Sequence, residues 1–251
     1  MNVSSKIMAF RHERARELES FVHLLEKMNL GKTYQIHQAI NELKDKTKGF
    51  HSPGKTDYLC WGYKIDSLTF DIQDFPRRHI IPNINAMQLS IDIDLLCRWD
   101  YWGTLNDPLL KLNFSVQVLG LDSNQLYSFG FHVDRYNDNG SQEIHPIYHL
   151  HYSPSVGGNT NIGNVLSLDT PRFMHAPIDL ILGTDFVLSN FSPSTWDKLR
   201  NESEYISLCK IYQDNLWKPY VHTWASGWVY ESTGICWPPP SSKSICPYLI
   251  N

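Results

Sequence analysis

Leu112-Asn113-Phe114-Ser115-Val116-Gln117-Val118 is the stretch that decides the fold, because apolar and polar side chains alternate along it without a break. The same period of two recurs in the segments 68–72, 89–95 and 127–134. Successive side chains of a strand point to opposite faces, so each segment is predicted to be a strand with one apolar and one polar face. Consecutive short strands of this kind are typical of an antiparallel sheet with one face on the core.

Helical patterns lie on both sides of the predicted sheet. Apolar residues recur every three or four positions before Gly31 and again before Gly49, and glycine commonly ends a helix. The same spacing returns in 178–191, where Pro177 suits the first turn of a helix, and in the residues after Pro193. The last helical pattern is a stripe of large apolar side chains, Trp217, Val221, Trp224 and Trp228.

Charged residues inside these helical patterns carry two further predictions. The mixed charges of residues 11–19 are predicted to form a solvated helix face. Asp185 falls within the apolar spacing of 178–191, and a carboxylate there needs a partner. We predict a buried arginine or a capped backbone group in that role.

Together the patterns predict an α+β fold. It consists of N-terminal helices, an antiparallel meander of five or six strands, and C-terminal helices packed on one face of the sheet. A chain of 251 residues can build one large core, so a single domain over 1–251 is predicted. Its parts are helices in 1–50, the sheet in 56–152, helices in 177–230 and an extended tail in 231–251.

Composition and charge exclude several classes of protein. With 42% hydrophobic and 19% charged residues, the chain has the composition of a folded protein. Its net charge of −4 argues against a broad surface that binds nucleic acid, although a local basic patch stays possible. Five cysteines without a C-x-x-C pair predict reduced thiols and a cytoplasmic location. No apolar run reaches the roughly 18 residues of a membrane span, and the first residues do not resemble a signal peptide.

Residues 49–56 match G-x-x-x-x-G-K-[ST], the pattern of a phosphate-binding loop. Such a loop needs a strand before it and a helix after it. Here residues 43–48 are charged and helical, whereas residues 58–65 are aromatic and strand-like. Because the order is inverted, we interpret the match as a turn between helix and sheet.

A histidine-rich segment, 143–152, is the richest source of reactive side chains. In a strand, His145, His149 and His151 share one face, although Pro146 is expected to bend the strand at His145. Asn139-Gly140 predicts a hairpin that joins this strand to 127–134, with Asp138 opposite Ser141 across a two-residue turn.

The hairpin predicts which side chains the histidines meet. A slip of one residue would turn the apolar side chains to solvent, so the apolar sets fix the two faces. His132 and Asp134 of the preceding strand then join the histidine face, within reach across the strands.

Three interpretations of this cluster stay open: a metal site, metal-free acid–base chemistry, or a merely polar sheet face. The candidate metal ligands are His132, Asp134, His149 and His151, for a divalent metal. The candidate catalytic residues are His132, His149, His151 and Arg172, the last of which lies just after a long loop and suits an anionic ligand.

The pattern His145-Pro146-x-x-His149-x-His151, then Arg172, then Phe186-x-x-x-Asn190-Phe191-x-Pro193-x-x-Trp196 resembles an uncharacterised bacterial family over residues 125–200. The resemblance implies association with mobile and host-defence gene clusters and names no catalytic residues. The order of elements is also similar to the ubiquitin-conjugating fold. No cysteine lies between Cys97 and Cys209, however, so the nucleophile of that chemistry is missing.

Two functions are therefore expected. The first is a component of a bacterial defence or toxin-type assembly that binds a protein partner, a ligand or a second copy of itself. The alternative is a histidine- or metal-dependent hydrolase of phosphodiester bonds.

Overall fold

The computed structural model describes residues 3–50, 60–72, 84, 86–121, 126–137, 145–152 and 172–226. In these residues two helices precede the strands and the remaining helices follow them. The elements are α1 (Val3–Lys27), α2 (Tyr34–Lys44), β1 (Cys60–Ile72), β2 (Ala86–Arg98), β3 (Leu109–Leu121), β4 (Leu126–Arg135), β5 (Tyr148–Tyr152), β6 (Phe173–Met174), α3 (Leu180–Phe191), α4 (Pro193–Arg200), α5 (Ser203–Tyr212) and α6 (Lys218–Ser226), with a π-helical turn at Gln213–Trp217.

The strands form one antiparallel meander in which each strand pairs with the next along the chain. The α+β prediction, with five or six strands, is confirmed, and the sheet has six. On β3 the alternate residues Leu112, Phe114 and Val116 are fully buried. Burying a side chain of this size contributes roughly 1.5–3 kcal/mol, so the apolar face supplies much of the stability.

Helix α3 lies directly on strand β3. A Cβ atom built on Gly183 would overlap the ring of Phe114, so glycine is what allows this close approach. The helix begins at Leu180, because the side chain of Asp179 accepts hydrogen bonds from the amides of Ile181 and Leu182 and caps it. Pro177 therefore lies before the helix and not in its first turn as predicted.

Two charged side chains in the helices have hydrogen-bonding partners within the protein. Arg200 donates to both carboxylate oxygens of Asp185 at 2.9 and 2.5 Å, so the predicted partner is an arginine, but it is only partly buried and not buried as predicted. Arg11 is buried, and its guanidinium donates to the carbonyls of Glu42 and Asp45 at 2.7 Å each. It thus donates to carbonyls at the end of α2. Arg14 and Glu17 are buried as well, so the prediction of a solvated face over residues 11–19 is wrong at these three positions.

The remaining sequence patterns have mixed outcomes. Helix α2 precedes residues 49–56 and strand β1 follows them, the order that argues against a phosphate-binding loop, although residues 51–59 lie outside the described residues. In the tryptophan stripe Trp217 and Trp224 are partly buried against the core, Val221 is exposed, and Trp228 lies outside the described residues.

Cys60, Cys97 and Cys209 are buried, and none of the three forms a disulfide in the described part of the chain. Burial raises the pKa of the Cys97 thiol well above its usual value and that of Cys209 to about 12. None of the described helices combines the length and the apolar character that crossing a membrane requires.

Candidate metal centre

The histidine cluster lies on the polar face of the sheet, where β4 pairs with β5. His132 is opposite His151, and Asp134 is opposite His149. The intervening residue of β4, Val133, is buried on the other face. The register therefore confirms the prediction that side chains of both strands meet on one face.

The register itself differs from the hairpin prediction. A two-residue turn at Asn139-Gly140 would bring His132 opposite Ile147, whereas its observed partner is His151, four residues further along. Because the offset is even, every side chain stays on its predicted face. The predicted turn at Asn139-Gly140 falls in residues 138–144, outside the described part of the chain.

Three side chains on this face can converge on one metal ion. The ligand atoms of His132, Asp134 and His151 all lie within 4.8 Å of one another. The imidazole rings of His132 and His151 meet edge to face, with centroids 3.3 Å apart. Metal–ligand distances are about 2.0–2.2 Å, so the three donors would move closer together around a bound ion.

Asp134 uses its two carboxylate oxygens in different directions. Its Oδ1 lies 2.8 Å from Nε2 of His149, although without a well-aligned hydrogen bond, and its Oδ2 lies 3.6 Å from Nε2 of His132. His149 is only 3% exposed, and its Nδ1 lies 3.1 Å from the carbonyl oxygen of Pro146. Of the four predicted metal ligands, three therefore converge, while His149 lies behind Asp134.

The surroundings favour the protonation states that bind metal. Burial lowers the pKa of His132, and burial together with the nearby His132 lowers the pKa of His151 to about 4. For Asp134 burial acts to raise the pKa, but contact with His149 and the positive charge of the neighbouring imidazoles outweigh burial and lower it. Neutral imidazoles and an ionised carboxylate are the forms that coordinate a metal ion.

Arg172 belongs to the same surface. Strand β6 pairs His149 with Met174 and Leu150 with Phe173, and continuing this register by one residue places Arg172 opposite His151. Its positive charge contributes to the lowered pKa values of His132 and His151. The structure thus brings the predicted anion-binding residue to the edge of the cluster.

His145 lies outside strand β5, in line with the bend expected at Pro146. Strand β5 begins at Tyr148, after Pro146, and His145 precedes it. Its ring stacks on Tyr136 with centroids 4.5 Å apart and planes 6° from parallel, and lies 5.3 Å from the ring of His149. The proline ends the alternation that placed His145 with the other histidines.

Two neighbours of the cluster were missed in the sequence. Ser115 pairs with His132 and Asn113 pairs with Asp134, so both extend the polar face onto β3. The alternation of 112–118 already assigned them to the polar face, but only the β3–β4 register shows that they adjoin the histidines.

No protein-family model, no curated protein and no solved structure matches the chain. The resemblance to a bacterial family over residues 125–200 therefore stays a prediction, and the function has to be argued from the geometry of the cluster.

Proposed function

We propose that the chain is a metal-dependent hydrolase of phosphodiester bonds whose centre is formed by His132, Asp134 and His151. The observation that carries the proposal is the convergence of their three ligand atoms within 4.8 Å on one face of two paired strands. Strands of a sheet hold ligands more rigidly than loops do, which favours a preformed site.

The donor set indicates which metals fit. Two imidazoles and one carboxylate suit zinc and other first-row divalent ions, and catalytic zinc centres commonly have three protein ligands with water in the remaining position. A metal ion bound there would supply a water molecule of lowered pKa as the nucleophile. The lowered pKa values of both histidines keep them available as ligands at neutral pH.

Arg172 supports an anionic substrate. A guanidinium group presents paired donors that match the oxygens of a phosphate. The β5–β6 register, continued by one residue, puts Arg172 across from His151 at the edge of the cluster. In this proposal Arg172 would hold the phosphate, while His132, Asp134 and His151 would hold the metal ion that supplies the nucleophilic water. The polar side chains of Ser115 and Asn113 continue the surface on the side away from Arg172.

The test begins with metal binding. Protein stripped with a chelator is titrated with Zn²⁺ by calorimetry, and hydrolysis of bis(p-nitrophenyl) phosphate is followed with and without the ion. We expect one bound ion per chain and activity that depends on it, with both lost in His132→Ala. His145→Ala is the matched control, because it removes a nearby imidazole that lies outside the strand. A wild-type chain without stoichiometric binding overturns the proposal.

A second candidate is a binding component of a bacterial defence or toxin-type assembly, as the sequence resemblance implies. The observation that favours it is an exposed aromatic group on the opposite face of the sheet, where Phe129, Tyr152 and Phe173 are 45%, 44% and 54% exposed. Clusters of exposed apolar side chains often mark protein interfaces. Light scattering of the wild type and of Phe173→Ser tests self-association, which the variant should weaken; a monomer at all concentrations argues against a homo-oligomer.

A further inference from the structure

We propose that His149 is a positioning residue that fixes the carboxylate of Asp134 for metal binding. The proposal rests on the metal centre described above and goes beyond it, because it assigns to His149 a role other than that of a ligand.

Each ring nitrogen of His149 lies close to a protein oxygen. Nδ1 lies 3.1 Å from the carbonyl oxygen of Pro146, and Nε2 lies 2.8 Å from Oδ1 of Asp134. The side chain is 3% exposed, and the ring of His151 lies nearly parallel to it at 5.6 Å. A neutral ring can donate to only one of these two oxygens, but both nitrogens face protein oxygens, so neither is directed at a shared metal position.

The position of His149 determines which oxygen of Asp134 faces the metal. With Oδ1 next to His149, the other oxygen, Oδ2, is directed toward His132. The pair is also fixed by the backbone, because Asp134 and His149 are directly opposite each other in the β4–β5 ladder. A free carboxylate would have to be ordered when the metal binds, and a prearranged one avoids that loss of entropy.

The magnitude expected for such a contact is known in general. Residues that orient metal ligands from outside the coordination sphere typically change metal affinity by about 10–100-fold when they are replaced. Removing a direct ligand lowers metal affinity further. A ligand and a positioning residue therefore differ in the size of this loss and in which replacement restores binding.

Two amide variants separate the two contacts of His149. In His149→Gln the amide nitrogen reaches the position of Nε2 and can donate to Asp134. In His149→Asn the amide nitrogen takes the position of Nδ1, keeps the contact with Pro146 and is too short for Asp134. Both variants lose the ring, so a difference between them reports the Asp134 contact.

The affinity of each protein for Zn²⁺ is measured by competition with a chromogenic chelator, beside its melting temperature. We expect His149→Asn to bind about 10–100-fold more weakly and His149→Gln to bind close to the wild-type level. Equal affinities for the two variants, whether both strong or both weak, overturn the proposal. A wild-type protein that does not bind Zn²⁺ overturns the metal centre itself.

A measurement on the wild type keeps the proposal testable if a variant fails to fold. Nitrogen NMR of ¹⁵N-histidine-labelled protein follows each imidazole during the Zn²⁺ titration. In both His132 and His151, one ring nitrogen should move to the chemical shift of a metal-bound nitrogen. Both ring nitrogens of His149 should keep the chemical shifts that they have in the metal-free protein. A metal-bound nitrogen on His149 would make it a ligand and overturn the proposal.

Discussion

The two faces of the sheet are made of alternate residues of the same strands, and they differ in what each position contributes. On β3, Phe114 is fully buried under α3, whereas its neighbour Ser115 lies on the polar face opposite His132. The apolar face depends on volume and on contact with the helices. The site on the polar face depends on which side chains are opposite one another, so a change of register would disrupt it. Replacing a polar-face side chain by a smaller one should cost little stability.

The largest expected effect tests this contrast at adjacent positions. Phe114→Ala should destabilise the fold by about 3–5 kcal/mol, because it removes a buried ring and leaves a cavity against Gly183. Ser115→Ala should change stability by less than about 0.5 kcal/mol. Urea unfolding of both variants measures the difference. Similar losses would show that the polar face contributes to stability as much as the core does.

The next largest effect is a pH-dependent change in stability that comes from Asp179, the buried carboxyl group at the start of α3. Complete burial raises the pKa of Asp179 from 3.8 to about 7. Since the folded-state pKa is above the unfolded one, this contribution to stability is fully present below about pH 4 and is lost as the pH rises toward 7, by at most about 4 kcal/mol. Burial also raises the pKa of Glu17, which adds to the same trend.

The variant Asp179→Asn keeps an oxygen that can cap α3 but cannot ionise. We expect it to lose less stability than the wild type between pH 5 and pH 8, as measured by urea unfolding at the two pH values. An identical pH dependence in the two proteins would show that Asp179 does not ionise over this range.

On the polar face the largest effect is on binding. His151→Ala should weaken Zn²⁺ binding by about 100-fold or more, or roughly 2.7 kcal/mol, while the urea midpoint changes little because the side chain is only partly buried. Calorimetry and urea unfolding of the same sample measure both. A variant that unfolds instead would place His151 among the residues that hold the fold together.

The smallest effect concerns Arg172 at the edge of the cluster. Arg172→Gln should weaken competitive inhibition by inorganic phosphate about tenfold, or about 1.4 kcal/mol, with metal affinity nearly unchanged. Inhibition constants measured with the chromogenic diester report the change. If phosphate inhibits the variant as strongly as the wild type, Arg172 has no part in binding the anion.

The faces could be predicted from the sequence because hydrophobic alternation is local. The alternation around Phe114 and around Val133 assigns each residue to a face, and this assignment survives any even change of register. It therefore placed His132 and His151 together without the correct turn. The metal donors could be predicted as a set for the same reason.

What could not be predicted depends on contacts between distant residues. The even difference between the predicted and the observed β4–β5 register could not be foreseen, because the sequence of residues 138–144 has no periodic pattern. The role of His149 depends on the carbonyl of Pro146, a backbone atom to which no sequence motif refers. Strand β6 has only two residues and thus too few for a period, although it brings Arg172 to the cluster.

The buried thiols can report local opening of the structure around them. Only the thiolate reacts with disulfide reagents, so a buried thiol of raised pKa reacts only when the structure around it opens. Cys97 lies in the sheet and Cys209 lies in helix α5. In a chain with the other three cysteines replaced by serine, their two labelling rates show whether sheet and helices open as one cooperative unit or separately.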